Sequence, residues 1–84
     1  MYLHLGKGTV VSTGDIVAIM DLESSSRSVN TRDFLRTAEK NGCVKNVSEE
    51  IPRTFIICKE GGKSVVYLTN ISSKALSGRT VRYN

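Results

Sequence analysis

The spacing of apolar residues in the first third of the chain predicts three short strands. Residues 2–5 alternate so that two leucines share one face, and a glycine–lysine–glycine run at 6–8 predicts a tight turn. A second strand is predicted over 9–12, which makes an N-terminal hairpin. Residues 16–20 are continuously apolar and mostly β-branched, which is typical of a strand covered on both faces.

The next periodic segment predicts an amphipathic helix that begins near residue 30. Asn30 or Thr31 can act as the N-cap, because a short side-chain acceptor satisfies the free amides of the first turn. Apolar residues at positions 34, 35 and 38 form the stripe that we expect to be buried. Gly42 follows where a left-handed residue commonly ends a helix.

Glycine and proline mark out the rest of the chain. Pro52 has no amide hydrogen for a sheet ladder, so the next strand should begin at Thr54. The predicted elements after it are a strand over 55–59, a glycine turn over 60–63, a strand over 64–69, a short helix over 72–76 closed by Gly78, and a basic tail over 79–84.

This order of elements predicts one α+β domain over residues 1–84. Its parts are a small antiparallel β-sheet, one main amphipathic helix and a short C-terminal helix. A chain of 84 residues has no room for a second core. A core this small has a thin stability margin, for which self-association is a common remedy.

The net charge of +4 is unevenly distributed. Residues 1–30 carry two basic and three acidic side chains, whereas residues 31–84 carry ten basic and five acidic ones. A positive field attracts polyanions such as nucleic acids. A mild basic excess also occurs on proteins that bind no nucleic acid, so both interpretations stay open.

The sequence offers little equipment for catalysis. His4 is the single histidine, and Cys43 and Cys58 lack the spacing of a metal-binding or redox pair. The run at 62–64 resembles the end of a phosphate loop, but the first glycine of that motif is missing. We therefore predict no enzyme, cofactor, metal or small-molecule substrate. No leader or membrane span is apparent, which predicts a cytoplasmic protein with no membrane partner.

Four basic residues are the best candidates for a binding surface. Arg32 and Arg36 lie one helical turn apart and form an exposed ridge with Lys40. Arg53 lies between a proline and a strand, so its planar fork is presented at low entropic cost to a phosphate or a guanine. Lys45 is an auxiliary candidate. For the helix ridge, the alternative is a solvated outer face with no binding role. For Arg53, it is an arginine that only keeps a strand edge soluble.

Several segments resemble the extracellular-matrix regulators of the RemA/RemB family, and the RemB type most closely. They are the opening run at 1–6, the run Val10–Thr13, Asp15–Val17 with Ile19, the helix ending at Gly42, the Arg53–Thr54 pair before a hairpin, and Ser72–Leu76. The resemblance covers roughly residues 1–76. It implies a small cytoplasmic bacterial protein that regulates transcription of biofilm-matrix genes.

For the RemA branch the resemblance implies ring-shaped homo-oligomers whose subunits are LytTR-like and bind DNA. Arg53 matches a DNA-binding position in the loop before the hairpin, and Arg32 matches a basic position at the start of the helix. The chain departs from that branch at Pro52 and Asp15, where the branch carries arginines.

We therefore expect an oligomeric regulator that binds double-stranded DNA through Arg53, Arg32 and Arg36, with Lys45 and the tail as auxiliaries. The alternative is a non-enzymatic assembly or protein-interaction regulator that does not bind DNA directly. Glu49 and Glu50, in the loop before Arg53, favour the alternative.

Overall fold

A computed structural model describes residues 1–25 and 27–81, with side chains described up to residue 78. A 3-10 turn at Thr13–Asp15 joins the second and third strands. The elements in chain order are β1 (Tyr2–Gly6), β2 (Thr9–Ser12), β3 (Ile16–Asp21), α1 (Leu22–Ser25), α2 (Val29–Lys40), β4 (Val44–Asn46), β5 (Thr54–Glu60), β6 (Lys63–Thr69) and α3 (Ser73–Val81). The predicted α+β class is confirmed.

The strands form a two-stranded and a four-stranded sheet. β1 pairs with β2, and the larger sheet has the order β3-β5-β6-β4. The pairings of β3 with β5 and of β5 with β6 are antiparallel. The short β4 runs parallel to β6, so the sheet is antiparallel except at that edge.

The hairpin of β5 and β6 follows the prediction from proline and glycine. β5 begins at Thr54, two residues after Pro52. Gly61 and Gly62 form the turn with φ of 57° and 83°. Positive φ at both central residues suits the right-handed twist of the flanking strands, which explains a Gly-Gly pair there.

The main core lies between the larger sheet on one side and the N-terminal hairpin with α3 on the other. Its buried side chains are Leu3, Leu5, Val11, Ile56, Cys58, Tyr67 and Leu76. A buried hydrogen bond joins the two layers, since the Thr69 hydroxyl donates to the carbonyl of Leu5 at 2.7 Å. The strand pattern in residues 2–5 is confirmed, because both leucines point into this core.

The helix α2 differs from its prediction in its cap and its burial. It begins at Val29 because Ser28 is the N-cap and accepts a bond from the Thr31 amide, so the predicted caps were wrong. Gly42 follows the helix with φ of 71°, as expected. All twelve residues of α2 are described and none is buried. The expected stripe is only partly covered, and Phe34 is 38% exposed.

The burial expected for β3 was wrong. β3 is an edge strand, and Val17 is 65% exposed. A continuous apolar run does not specify how many neighbours cover it, and here β5 lies on one side.

Both short helices also differ from their predictions. The one-turn helix α1 was missed in a serine-rich connection, where Asp21 Oδ1 accepts from the Ser24 amide at 3.1 Å. α3 was predicted to close at Gly78, but it continues to Val81. The predicted tail over 79–84 is therefore helical through Val81, and residues 82–84 lie outside the described residues.

Candidate nucleic-acid interface

Arg53 has a backbone that is fixed on both sides. Its amide donates to the carbonyl of Thr69 at 2.9 Å, and its own carbonyl accepts from the Leu22 amide at 2.9 Å. The residue itself is exposed. The sequence prediction of a rigidly held arginine is confirmed at the level of the backbone.

The loop before Arg53 is attached to β6 at both ends. Val47 donates to the carbonyl of Leu68 at 3.0 Å, and Arg53 donates to the next carbonyl, that of Thr69. Between these anchors, side chains of the loop cap its own amides. Asn46 Oδ1 accepts from Ser48, and the Ser48 hydroxyl accepts from Glu50. Such local bonds favour the turn conformation of the loop.

The two glutamates of this loop have different partners. Glu49 Oε1 lies 2.9 Å from Lys7 Nζ in the turn between β1 and β2. Glu50 Oε2 accepts from the side-chain amide of Asn70. One of the two acidic charges is therefore offset by a lysine.

A shallow depression of about 400 Å³ adjoins Arg53 at the start of α1. Its lining residues are mixed in character: acidic Asp21 and Glu23, apolar Leu22, Ile51 and Pro52, and Arg53 itself. Ile51 is 86% exposed. The neighbourhood of Arg53 is therefore not purely basic.

The helix ridge is present and exposed, as predicted. Arg32 and Arg36 both lie on the solvent side of α2. Arg36 Nη1 is 3.6 Å from Asp33 Oδ1, an exposed pair one turn away. Exposed helix pairs contribute about 0.3–0.5 kcal/mol, so this contact leaves the guanidinium able to exchange partners.

Lys45 lies on β4, and its Nζ is 5.7 Å from the centre of the Tyr67 ring. It lines a cleft of about 560 Å³, in which Lys7 also lies. The Tyr67 hydroxyl donates to Glu60 Oε2 at 2.7 Å. Burial, followed by that bond to Glu60, raises the pKa of Tyr67 to about 12, so the phenol stays neutral beside Lys45.

The predicted site residues lie on different parts of the chain's surface. Arg53 borders the depression at α1, Lys45 the cleft near the β1–β2 turn, and Arg36 a third depression on α2. Sequence reasoning missed Lys7, which the hairpin brings to Glu49 and to the cleft that Lys45 also lines. Its position between two glycines was the available indication, because such a turn projects the residue at its tip.

Groups that would support metal or thiol chemistry are sparse in the part of the chain that the structure describes. No cluster of three or more histidine, cysteine, aspartate or glutamate side chains occurs in 1–25 and 27–81. Cys43 and Cys58 are free thiols. Burial raises the pKa of the Cys58 thiol to about 11, with a smaller contribution from the charge of Glu60. Within those same residues, no helix has the length and apolar character needed to cross a bilayer.

Comparison with known proteins agrees with the resemblance read from the sequence. Residues 2–80 match the model of the RemA-like family, described as extracellular matrix regulatory protein A-like. The chain is also similar to extracellular matrix regulatory protein B of Bacillus subtilis (strain 168). The identity is 32% over 79 residues, which cover 94% of this chain and 89% of the relative. The chain therefore belongs to the RemA-like family of extracellular matrix regulatory proteins.

Proposed function

We propose that this protein is a homo-oligomeric transcriptional regulator of extracellular-matrix (biofilm) genes that binds double-stranded DNA directly. The observation that carries the proposal is Arg53, an exposed arginine whose backbone is hydrogen-bonded on both sides. The family assignment supports a regulatory, non-enzymatic role in matrix-gene control. A regulator of this kind acts in the cytoplasm, where bacterial DNA lies.

The chemistry of binding would be phosphate contact. The Arg53 guanidinium offers a planar set of donors that matches phosphate oxygens, and a fixed backbone reduces the entropy lost on binding. Arg32, Arg36 and Lys45 would add further contacts to the DNA backbone. Such contacts position a protein on the duplex and carry no sequence information directly.

Assembly would compensate for the small number of contacts that one subunit can make. Repeating the same arginine around an oligomer makes later contacts intramolecular, which raises the overall affinity. The small core of an 84-residue chain supports self-association, which would also cover exposed apolar side chains such as Val17, Phe34 and Ile51.

A second candidate function is an assembly protein that contacts other proteins and does not bind DNA. The specific observation in its favour is the pair of carboxylates, Asp21 and Glu23, that share the depression with Arg53. Carboxylates near a phosphate-binding arginine lower its attraction to DNA.

The experiment that separates the two functions is a titration of duplex DNA with protein of known oligomeric state. The proposal predicts binding at low salt that weakens steeply as salt is raised, because each phosphate contact releases counterions. A defined oligomer that ignores DNA even at low salt would refute direct binding and favour the assembly role.

A further inference from the structure

The turn between β1 and β2 holds Lys7 in an unusual backbone conformation. Lys7 has φ of 47°, and the flanking Gly6 and Gly8 also have positive φ. This left-handed turn projects the lysine towards the loop that carries Glu49. The ammonium and carboxylate meet at 2.9 Å.

The cleft beside this ion pair is lined by groups that suit an oxyanion. Lys7 and Lys45 line it, together with the hydroxyl-bearing residues Thr9 and Ser48. Ammonium and hydroxyl groups donate hydrogen bonds to phosphate oxygens. Glu49 also lines the cleft, so a carboxylate already occupies one of the two ammonium groups.

The ion pair is exposed and therefore exchangeable. The side chains of Lys7 and Glu49 are 57% and 85% accessible. Pairs of this kind contribute about 0–1 kcal/mol, so another oxyanion can compete for the lysine. Glu49 lies in the same loop as Arg53, four residues before it, so the loop joins the cleft to the proposed DNA contact.

We propose that this cleft is a second phosphate-binding site for duplex DNA, formed by Lys7 and Lys45, and that Glu49 is a built-in competitor that holds Lys7 away from phosphate. The inference rests on the proposed DNA-binding function and adds a means of setting its strength. Removing the carboxylate turns Lys7 into an additional phosphate contact.

The proposal makes a quantitative prediction for how DNA affinity depends on salt concentration. Each phosphate contact adds about 0.9 to the slope of log affinity against log salt. For Glu49→Gln, one extra contact means about 3.5-fold more loss of affinity between 50 and 200 mM salt than wild type shows. Affinity at low salt should rise at the same time.

The test is a double-mutant cycle measured by duplex-DNA titration over a salt series. The proteins are wild type, Glu49→Gln, Lys7→Gln and the double variant, each checked for unchanged oligomer size. Glu50→Gln is the matched control, because it removes the same charge from a carboxylate bonded to Asn70 rather than to a lysine.

We expect Glu49→Gln to raise affinity more than Glu50→Gln and to steepen the salt slope, and we expect Lys7→Gln to abolish that gain. Equal gains for the two glutamine variants, or a gain that survives in the double variant, would overturn the competitor role. If Arg53→Ala loses DNA binding while the effects of Glu49→Gln and Lys7→Gln simply add in the double variant, the proposed function stands and this inference alone is refuted. Absence of DNA binding in every protein would overturn both.

Discussion

At the residue scale, two threonines opposite each other in the sheet have different hydrogen bonding. Thr54 and Thr69 are paired in register and both are fully buried. The Thr69 hydroxyl donates to the carbonyl of Leu5 and accepts from Ile71. The Thr54 hydroxyl has no hydrogen-bond partner among the described residues. One threonine therefore holds the N-terminal hairpin on the sheet, while the other does not.

This difference predicts opposite responses to the same substitution. Thr69→Val should lower the free energy of unfolding by about 1–3 kcal/mol, because the Leu5 carbonyl loses its buried donor. Thr54→Val should be neutral or stabilising, since its hydroxyl gains nothing from burial. Denaturant unfolding of both variants checks this. Equal losses would show that the bond to Leu5 contributes little.

The buried thiol predicts how stability depends on pH. The pKa of Cys58 is raised from 9.0 to about 11 in the folded protein. As pH rises, the thiol therefore ionises in the unfolded chain before it ionises in the folded protein. The free energy of unfolding is unaffected by this group below pH 9 and falls as pH rises from 9 towards 11. Cys58→Ala should weaken this alkaline loss, which unfolding measured at several pH values would detect. If Cys58→Ala loses as much stability at alkaline pH as wild type does, other groups cause that loss, among them Tyr67.

At the element scale, turn chemistry was more predictive than apolar content. Pro52 and the Gly61–Gly62 pair located the β5–β6 hairpin, because proline fixes φ and glycine permits the positive φ of a tight turn whatever surrounds them. Apolar residues at 16–20 and on α2 predicted the elements correctly but their burial wrongly. Burial depends on which distant segments pack against an element, and the local sequence pattern does not determine that.

Gly62 and Gly78 give an internal comparison of two glycine roles. Gly62 has φ of 83° in the hairpin turn, whereas Gly78 lies inside α3 with open space around it. Gly62→Ala should destabilise by about 1–2 kcal/mol, because a left-handed conformation is strained for alanine. Gly78→Ala should stabilise by about 0.5–1 kcal/mol through helix propensity.

Thermal unfolding of the two variants tests this assignment. A lower midpoint for Gly62→Ala and a higher one for Gly78→Ala are expected. A destabilised Gly78→Ala would instead support the helix end that the sequence predicted at this glycine.

At the scale of the whole molecule, several apolar groups remain uncovered in the single chain. β3 is a six-residue edge strand with no charge between Ile16 and Met20, a type of edge that soluble proteins usually protect. α2 contributes Phe34, which is partly exposed. These are the surfaces that the proposed self-association would cover.

Val17→Lys tests whether this edge takes part in assembly. Because Val17 is 65% exposed, the change should alter the free energy of unfolding by less than about 0.5 kcal/mol. We expect it to lower the assembly mass measured by light scattering, since a charge blocks edge pairing. The same substitution at exposed Val10 on β2 is the control. An unchanged mass for Val17→Lys would place the contact elsewhere.

The site was less predictable than the fold. The proline before Arg53 revealed its rigid backbone, since that restriction is local. The pairing of Glu49 with Lys7 joins residues 42 positions apart and depends on how the hairpin packs, so no short-range pattern indicated it.

The most direct test of the central claim compares Arg53→Ala with Lys63→Ala in a duplex-DNA titration at low salt. Each variant removes one exposed cation, but Lys63 is the first residue of β6, at the opposite end of that strand from the Thr69 carbonyl that holds Arg53. The account predicts that Arg53→Ala abolishes binding while Lys63→Ala stays close to wild type. Equal, small losses in both variants would contradict it, because net charge rather than Arg53 would then govern binding.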